Sequence, residues 1–127
     1  MAKVLGVGGV FFKAADPQGL AHWYARWLGL EIEPSFTGAF FRASSIPAGG
    51  GTVWSPFQSD TTYFEPSSSD FMINLMVDDL DAALRQVSEG GATLVGDPSR
   101  DELGCFGWFL DPEGNKVELW QPPETAG

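Results

Sequence analysis

The sequence predicts an α+β fold built from two similar halves, each with the element order βαβββ. Each half contains one segment with the apolar spacing of an amphipathic helix. Short strand-like runs, bounded by glycine and proline, precede and follow each helix. The halves also align with each other at offsets of about 62 to 66 residues, which pair Asp16 with Asp79, Gly29 with Gly91, and residues 54–56 with residues 120–122.

Size and composition limit the number of domains and the classes of partner. The chain has 127 residues, 43% of them hydrophobic, which is enough for one domain and too few for two. No run approaches the roughly 20 apolar residues that span a bilayer. The net charge of −10 repels phosphate backbones and anionic membranes. We therefore expect one domain over residues 1–127, with neither nucleic acid nor membrane as a partner.

The N-terminal region and the single cysteine predict a cytoplasmic protein. Gly6, Gly8 and Gly9 interrupt what would have to be the apolar core of a signal peptide. Cys105 has no second cysteine for an internal disulfide, which is typical of a reducing compartment. We interpret this cysteine as a small buried hydrophobe rather than a nucleophile.

The first half, residues 1–55, is predicted to hold a strand, a helix and three further strands. Residues 4–13 mix small and apolar side chains without helical period, which predicts a strand. Asp16 is the predicted N-cap and Pro17 the first helical residue. Leu20, Trp23, Tyr24, Trp27 and Leu28 then share one helical face, and Gly29 ends the helix. The remaining strands are predicted at residues 30–33, 39–43 and 52–54.

The second half, residues 71–122, follows a linker at residues 56–70 and repeats the plan. We predict a strand at residues 71–77, a cap at Asp78 or Asp79, and a helix that ends at Gly90-Gly91. The buried face of this helix is predicted to contain Leu80, Ala83, Leu84 and Val87. Strands are predicted at residues 92–95, 105–110 and 116–120, the last two joined by a hairpin loop at residues 111–115.

Three segments resemble the vicinal oxygen chelate superfamily, which contains glyoxalases, bleomycin-resistance proteins and extradiol dioxygenases. Residues 107–120, GWFLDPEGNKVELW, resemble the C-terminal signature of that family, residues 16–29 resemble its first helix, and residues 77–81 resemble its second. The resemblance implies a cup-shaped, mostly antiparallel mixed sheet made from tandem βαβββ modules. It also implies a homodimer.

The resemblance further implies where a metal ion would be held. Metal-dependent members place one ligand on the first strand and one on the last strand of each module, as His, Gln or Glu. The corresponding residues here are Gly9, Thr52, Met72 and Glu118. Only Glu118 matches, and the other three are poor ligands for a divalent ion. We therefore predict no metal site and no cofactor.

Other residues offer little alternative chemistry. The only histidine, His22, is predicted to face solvent on the first helix, which removes a Ser-His or Cys-His nucleophilic pair. The glycines at residues 6–9 lack the third glycine of a dinucleotide-binding loop and lie within a predicted strand.

A ligand cleft is predicted on the concave face of the cup from the alternation of side chains along strands. Glu118 brings Trp120 with it, and Phe109 joins them if the last hairpin has a four-residue loop. The full set of predicted ligand-binding residues is Phe11, Thr52, Trp54, Met72, Asn74, Phe109, Glu118 and Trp120. Such a set suits a flat or amphipathic organic ligand.

Glu118 has two interpretations at this stage. It could act as a base or pair with a cationic ligand. Alternatively, it could be a structural carboxylate, hydrogen-bonded or paired with Lys13.

The first functional hypothesis is a metal-independent protein that binds a small organic molecule. The alternatives are a metal-dependent lyase, isomerase or dioxygenase, and a metal-free enzyme or partner-binding module.

Overall fold

Two helices pack on one face of a five-stranded sheet in the structure, which is a computed structural model describing residues 1–3, 5 and 7–124. The elements in chain order are α1 (Pro17–Leu28), β1 (Ile73–Met76), α2 (Leu80–Glu89), β2 (Thr93–Leu94), β3 (Ser99–Asp101), β4 (Gly104–Leu110) and β5 (Lys116–Gln121). A short 3-10 turn covers Ala43–Ser45. Neither helix of the described chain has the length and apolar content needed to cross a membrane.

Both helices begin and end at the predicted residues. Asp16 caps α1 by accepting a hydrogen bond from the Gly19 amide at 3.0 Å, and Asp79 caps α2 through the Ala82 amide at 3.0 Å. Gly29 ends α1 with a φ of 70°, a left-handed conformation that favours glycine. The predictions of both helices are therefore confirmed.

The sheet is mixed and mostly antiparallel, with the strand order β1-β5-β4-β2. Strands β1 and β5 are parallel, and the other pairs are antiparallel. The short strand β3, which the sequence did not predict, pairs with β4 on the same edge as β2. The α+β class and the mixed, mostly antiparallel sheet are as predicted.

The register of the last hairpin corrects one prediction about the site. Leu110 pairs with Lys116, and Trp108 lies opposite Glu118. The loop therefore contains residues 111–115 and is one residue longer than the prediction assumed. Since a shift of one residue moves a side chain to the other face of a sheet, Phe109 does not lie beside Glu118. It pairs with Val117 and is fully buried under the helices.

The core lies between the helices and one face of the sheet. Its buried members are Leu20, Tyr24, Leu80, Ala83, Leu84, Val87, Phe109, Val117 and Leu119. Helix α1 is also tied to the second half by polar contacts. The Trp23 indole donates to the Gly90 carbonyl at 2.8 Å, and the Glu113 carboxylate accepts from the Ala15 amide at 2.8 Å. The core therefore joins α1 to the second half.

The strands predicted in the first half are not formed in the described residues. Residues 7–13, 30–33, 39–43 and 52–54 contain no assigned strand, and Val4 and Gly6 of the first predicted strand lie outside the described residues. A strand is stable only when a neighbouring strand and a buried face accept it. Here many of the apolar side chains stay on the surface, with Phe11 96% and Trp54 79% exposed, although Leu30 packs against the core. The strand predictions for this half are wrong for this structure.

Candidate functional site

The sheet has one face covered by the helices and one that the helices leave open. Because side chains alternate along a strand, Val117 and Leu119 of β5 point to the helices, whereas their neighbours point the other way. We call the second face the open face. It carries Asn74 and Met76 of β1, Phe106 and Trp108 of β4, and Lys116, Glu118 and Trp120 of β5.

Glu118 lies at the centre of the open face and binds three hydrogen-bond donors. Its Oε2 atom accepts from the Tyr63 hydroxyl and from the Trp108 indole N–H, the latter at 2.8 Å. Its Oε1 atom accepts from the Asn74 side-chain amide at 2.7 Å. A carboxylate oxygen has two acceptor positions, so Oε2 is filled, and Oε1 keeps one position that no donor of the described residues occupies. The side chain is half-buried and firmly oriented.

Tyr63 comes from residues 57–64, a segment that crosses the open face and that we call the strap. Three aromatic rings pack together in it: Phe57 lies 5.6 Å from Tyr63 and 5.2 Å from Phe64, between ring centroids. The Tyr63 ring also meets Trp108 edge-on at 6.2 Å. The strap therefore packs against Trp108 beside Glu118.

Lys116 provides a positive charge on the same face of β5 as this carboxylate. It lies two residues before Glu118 on the same face of β5, and it is buried. Its Nζ atom donates to the Tyr63 carbonyl at 2.5 Å and lies 5.1 Å from the centre of the Tyr63 ring. Ammonium groups are attracted to aromatic faces in this way. One residue of the strap thus contacts both charged groups.

The surroundings of the Tyr63 hydroxyl keep it protonated. Burial, together with the hydrogen bond to Glu118 and the negative charge of that carboxylate, raises the pKa of Tyr63 to about 12. The phenol therefore acts as a hydrogen-bond donor to Glu118 throughout the physiological range.

A second aromatic pair extends the open face beyond Glu118. Phe106 and Trp120 are cross-strand neighbours, and their rings stack with centroids 6.3 Å apart and an angle of 5° between the planes. The Trp120 indole donates to the Leu103 carbonyl at 2.8 Å, which fixes the ring. These parallel rings offer a flat apolar surface next to a carboxylate.

The structure brings together only some of the predicted ligand-binding residues. Asn74 contacts Glu118 directly, and Trp120 lies on the same face; Met72 is half-buried just before β1. Phe11, Thr52 and Trp54 are exposed on segments without strand structure. Within the described residues, none of these three forms a hydrogen bond with Glu118. Lys13 is exposed, and the predicted pairing of Glu118 with it does not occur in this part of the chain.

Sequence reasoning missed four residues of the site, namely Tyr63, Phe106, Trp108 and Lys116. Phe106 and Trp108 were missed because the predicted hairpin register was shifted by one residue. Lys116 precedes Glu118 by two residues, so alternation along β5 already placed both on one face. The signal for Tyr63 was weaker. The apolar pair Tyr63-Phe64 interrupts an otherwise polar linker, which indicates a segment that packs against something.

The groups around Glu118 do not fit a divalent metal ion. Indole and amide N–H groups and a phenol O–H all direct hydrogens at the carboxylate, and an ammonium lies nearby. Metal ions instead need several oxygen, nitrogen or sulfur atoms with free lone pairs. No cluster of three or more His, Cys, Asp or Glu side chains exists within the described ranges.

Comparison with protein families identifies the chain. The model of the glyoxalase-like domain family matches residues 9–120. The chain belongs to this family. The match covers most of the chain and agrees with the resemblance found in its C-terminal signature. No curated protein matches the chain.

Several solved structures are similar to this glyoxalase-like chain. TnmS3, an antibiotic-binding protein from Streptomyces sp. CB03234, is 22% identical over 97% of this chain and 100% of that one, with a TM-score of 0.57. An integron cassette protein from the mobile metagenome of V. cholerae is 19% identical over 85% of this chain and 88% of that one, with a TM-score of 0.50. Both likenesses show the fold.

A third match is more similar in sequence but shorter. A member of the glyoxalase/bleomycin resistance protein/dioxygenase superfamily from Sphaerobacter thermophilus DSM 20745 is 34% identical over 39% of this chain. This chain spans 40% of that protein's length, and the TM-score is 0.35. The family assignment therefore depends on the family model, and the fold on the longer matches.

Proposed function

We propose that this glyoxalase-like protein binds a small organic molecule on the open face of its sheet, without a metal ion. The observation that carries the proposal is Glu118, a half-buried carboxylate held by three donors between aromatic side chains. Binding sites for small molecules typically combine aromatic walls with a few fixed polar groups. The stacked rings of Phe106 and Trp120 supply such a wall beside the carboxylate.

Two further observations support a binding role. A ligand donor can bind Glu118 at the remaining acceptor position on Oε1, or at Oε2 in place of one of the two protein donors there. The fold is also that of TnmS3, which is an antibiotic-binding protein. We extend that kind of role, the binding of a small compound, to this chain as part of the proposal.

A ligand screen with a matched pair of variants tests the proposed site. Compounds are screened for an increase in the thermal midpoint in the presence of a chelator, since a ligand of the native state stabilises it. We expect hits whose effect is lost in Glu118→Gln and retained in Glu89→Gln, because Glu89 is exposed and ends α2 on the helix side of the sheet. Hits that are equally effective on both variants would contradict the proposal.

The alternative of a metal-dependent lyase, isomerase or dioxygenase makes a different prediction. In such an enzyme a divalent ion would polarise the substrate, and Glu118 would be one of its ligands. Elemental analysis of protein purified without added metal distinguishes the two. Stoichiometric zinc, nickel, manganese or iron that is lost in Glu118→Gln would favour the enzyme.

We also propose that the chain pairs with a second copy. Large apolar side chains of the first half are exposed, among them Phe11, Phe40, Phe41 and Trp54. Exposed apolar groups of this size are typical of an interface. Sedimentation at micromolar concentration should give twice the mass of 13.7 kDa, and Trp54→Ser should shift the equilibrium towards the monomer. A concentration-independent monomer would contradict this pairing.

A further inference from the structure

Tyr63 occupies the open face as a small ligand would. Its hydroxyl donates to Glu118, and its backbone carbonyl accepts from Lys116. Its ring meets Trp108 edge-on. Tyr63 therefore contacts the Glu118 carboxylate, the Lys116 ammonium and the Trp108 indole at the same time.

The two charged groups restrict which molecules can take the place of Tyr63. A cation that approached Glu118 would also meet the Lys116 ammonium, and an anion that approached Lys116 would meet the Glu118 carboxylate. A neutral molecule with a hydrogen-bond donor at one end and an acceptor at the other satisfies both groups. Tyr63 itself presents this combination, with its hydroxyl and its carbonyl.

The Oε2 atom of Glu118, which binds the Tyr63 hydroxyl, has no acceptor position for a second phenol. Both acceptor positions of Oε2 are taken, one by the Tyr63 hydroxyl and one by the Trp108 indole. The indole belongs to a paired strand of the sheet and stays in place. A donor that binds Oε2 must therefore replace Tyr63.

The strap is built so that it can leave without disturbing the core. No residue of the strap belongs to the buried core, and Phe57 is 48% exposed. Apart from the bond that the Tyr63 carbonyl accepts from Lys116, its backbone hydrogen bonds are local, such as the bond from the Thr61 amide to the Gln58 carbonyl at 3.0 Å. Segments with few buried contacts open at low free-energy cost.

We propose that the ligand of this site is a neutral phenol that carries a carbonyl group, and that it binds by displacing Tyr63 from Glu118 and Lys116. This inference rests on the proposed function, because it names the class of ligand that the open face takes. In the free protein, Tyr63 occupies the positions on Glu118 and Lys116 that the ligand takes when it binds.

The test compares two probes on wild type and on Tyr63→Phe. The probes are para-hydroxyacetophenone and para-methoxyacetophenone, which lacks the hydroxyl donor, and the dissociation constant is followed through the indole N–H signal of Trp108. Tyr63→Phe removes the competing hydrogen bond to a charged acceptor, so the hydroxy probe should bind about tenfold more tightly. Tyr24→Phe, which loses a phenol on the helix side of the sheet, should leave the constant unchanged.

The outcomes separate this inference from the proposed function. In the Tyr63→Phe background, Glu118→Gln should weaken binding of the hydroxy probe about tenfold, because the charged acceptor is lost. If Glu118→Gln weakens binding but Tyr63→Phe does not strengthen it, the site is right and displacement is wrong. If Glu118→Gln has no effect, the proposed site itself is wrong. Equal affinities for the two probes, or no binding of the hydroxy probe to Tyr63→Phe, would overturn the phenol class.

Amide hydrogen exchange on the wild-type protein gives an independent readout. Saturation with the hydroxy probe should accelerate exchange in residues 57–64, since the strap loses its contacts with Glu118 and Lys116. Slower exchange in the strap would mean that Tyr63 closes over the probe, and it would overturn the displacement.

Discussion

At the scale of single residues, the position of one carboxylate decides what the site can bind. Glu118 was the best candidate from the sequence, and the structure adds the partners that orient it. Its two interpretations also become clearer. The carboxylate is hydrogen-bonded, as the structural interpretation held, but its partners are Tyr63, Trp108 and Asn74 rather than Lys13. These partners fix it on an accessible face, which a binding role requires.

The two tyrosines differ in their surroundings, and substitution should reveal this difference. The Tyr24 hydroxyl donates to the buried Asp111 carboxylate at 2.9 Å, deep between α1 and the hairpin loop. We expect Tyr24→Phe to lower the free energy of unfolding by about 1.5 to 3 kcal/mol, the range for a hydrogen bond to a charged group. Urea denaturation measures the loss. Tyr63→Phe, at a more exposed site, should cost less, and the reverse order would contradict the assignment.

Alkaline titration tests the same pair of residues without substitution. The pKa of Tyr63 is raised to about 12, and burial raises the pKa of Tyr24 as well. Ultraviolet absorbance should therefore show little phenolate near pH 10, where a free tyrosine is half-ionised. The unfolded chain releases these protons at lower pH than the folded chain, so stability should fall as pH rises from about 10 to 12. A titration midpoint near 10 for either tyrosine would contradict the structure.

At the scale of elements, the sequence predicts the helices, which local spacing determines, better than the strands, which depend on pairing with distant residues. The caps and apolar faces of both helices are local signals, and both helices form as predicted. Strands depend on partners elsewhere in the chain. Strands β4 and β5 were predictable because the loop between them has clear turn residues. Residues 52–54 have no strand partner in the part of the chain that the structure describes, and they form no strand.

The start of β4 contains a glycine whose replacement should destabilise the sheet. Gly104 has a φ of 122°, and a Cβ atom there would collide with the backbone carbonyl oxygen of Gln121 in β5. Gly114 provides a matched control, because its φ is 80° but a Cβ atom would meet nothing. We expect Gly114→Ala to cost about 1 to 2 kcal/mol from backbone strain alone, and Gly104→Ala to cost more. Equal losses in thermal or urea denaturation would contradict this difference.

At the scale of the whole molecule, one sheet separates stability from binding. The core between the helices and the covered face contains the buried apolar residues, whereas the open face carries Lys116, Glu118 and the aromatic pairs. The alternation of Val117 and Leu119 with Glu118 along β5 indicates this division in the sequence itself. It could not predict that the strap lies on the open face, because a linker's position depends on contacts far away in the chain. The family assignment agrees with this fold, and ligand binding on the open face is the proposal that the predicted experiments test.

The most direct test of this account is the indole N–H signal of Trp108 in a proton–nitrogen correlation spectrum, assigned with Trp108→Phe. This group donates to Glu118 at the centre of the site, whereas the Trp23 indole donates to Gly90 on the helix side. Any compound that stabilises the protein in the presence of a chelator should shift the Trp108 signal in a saturable way and leave the Trp23 signal in place. A stabilising compound that shifts the Trp23 signal and leaves Trp108 unmoved would contradict binding at the open face.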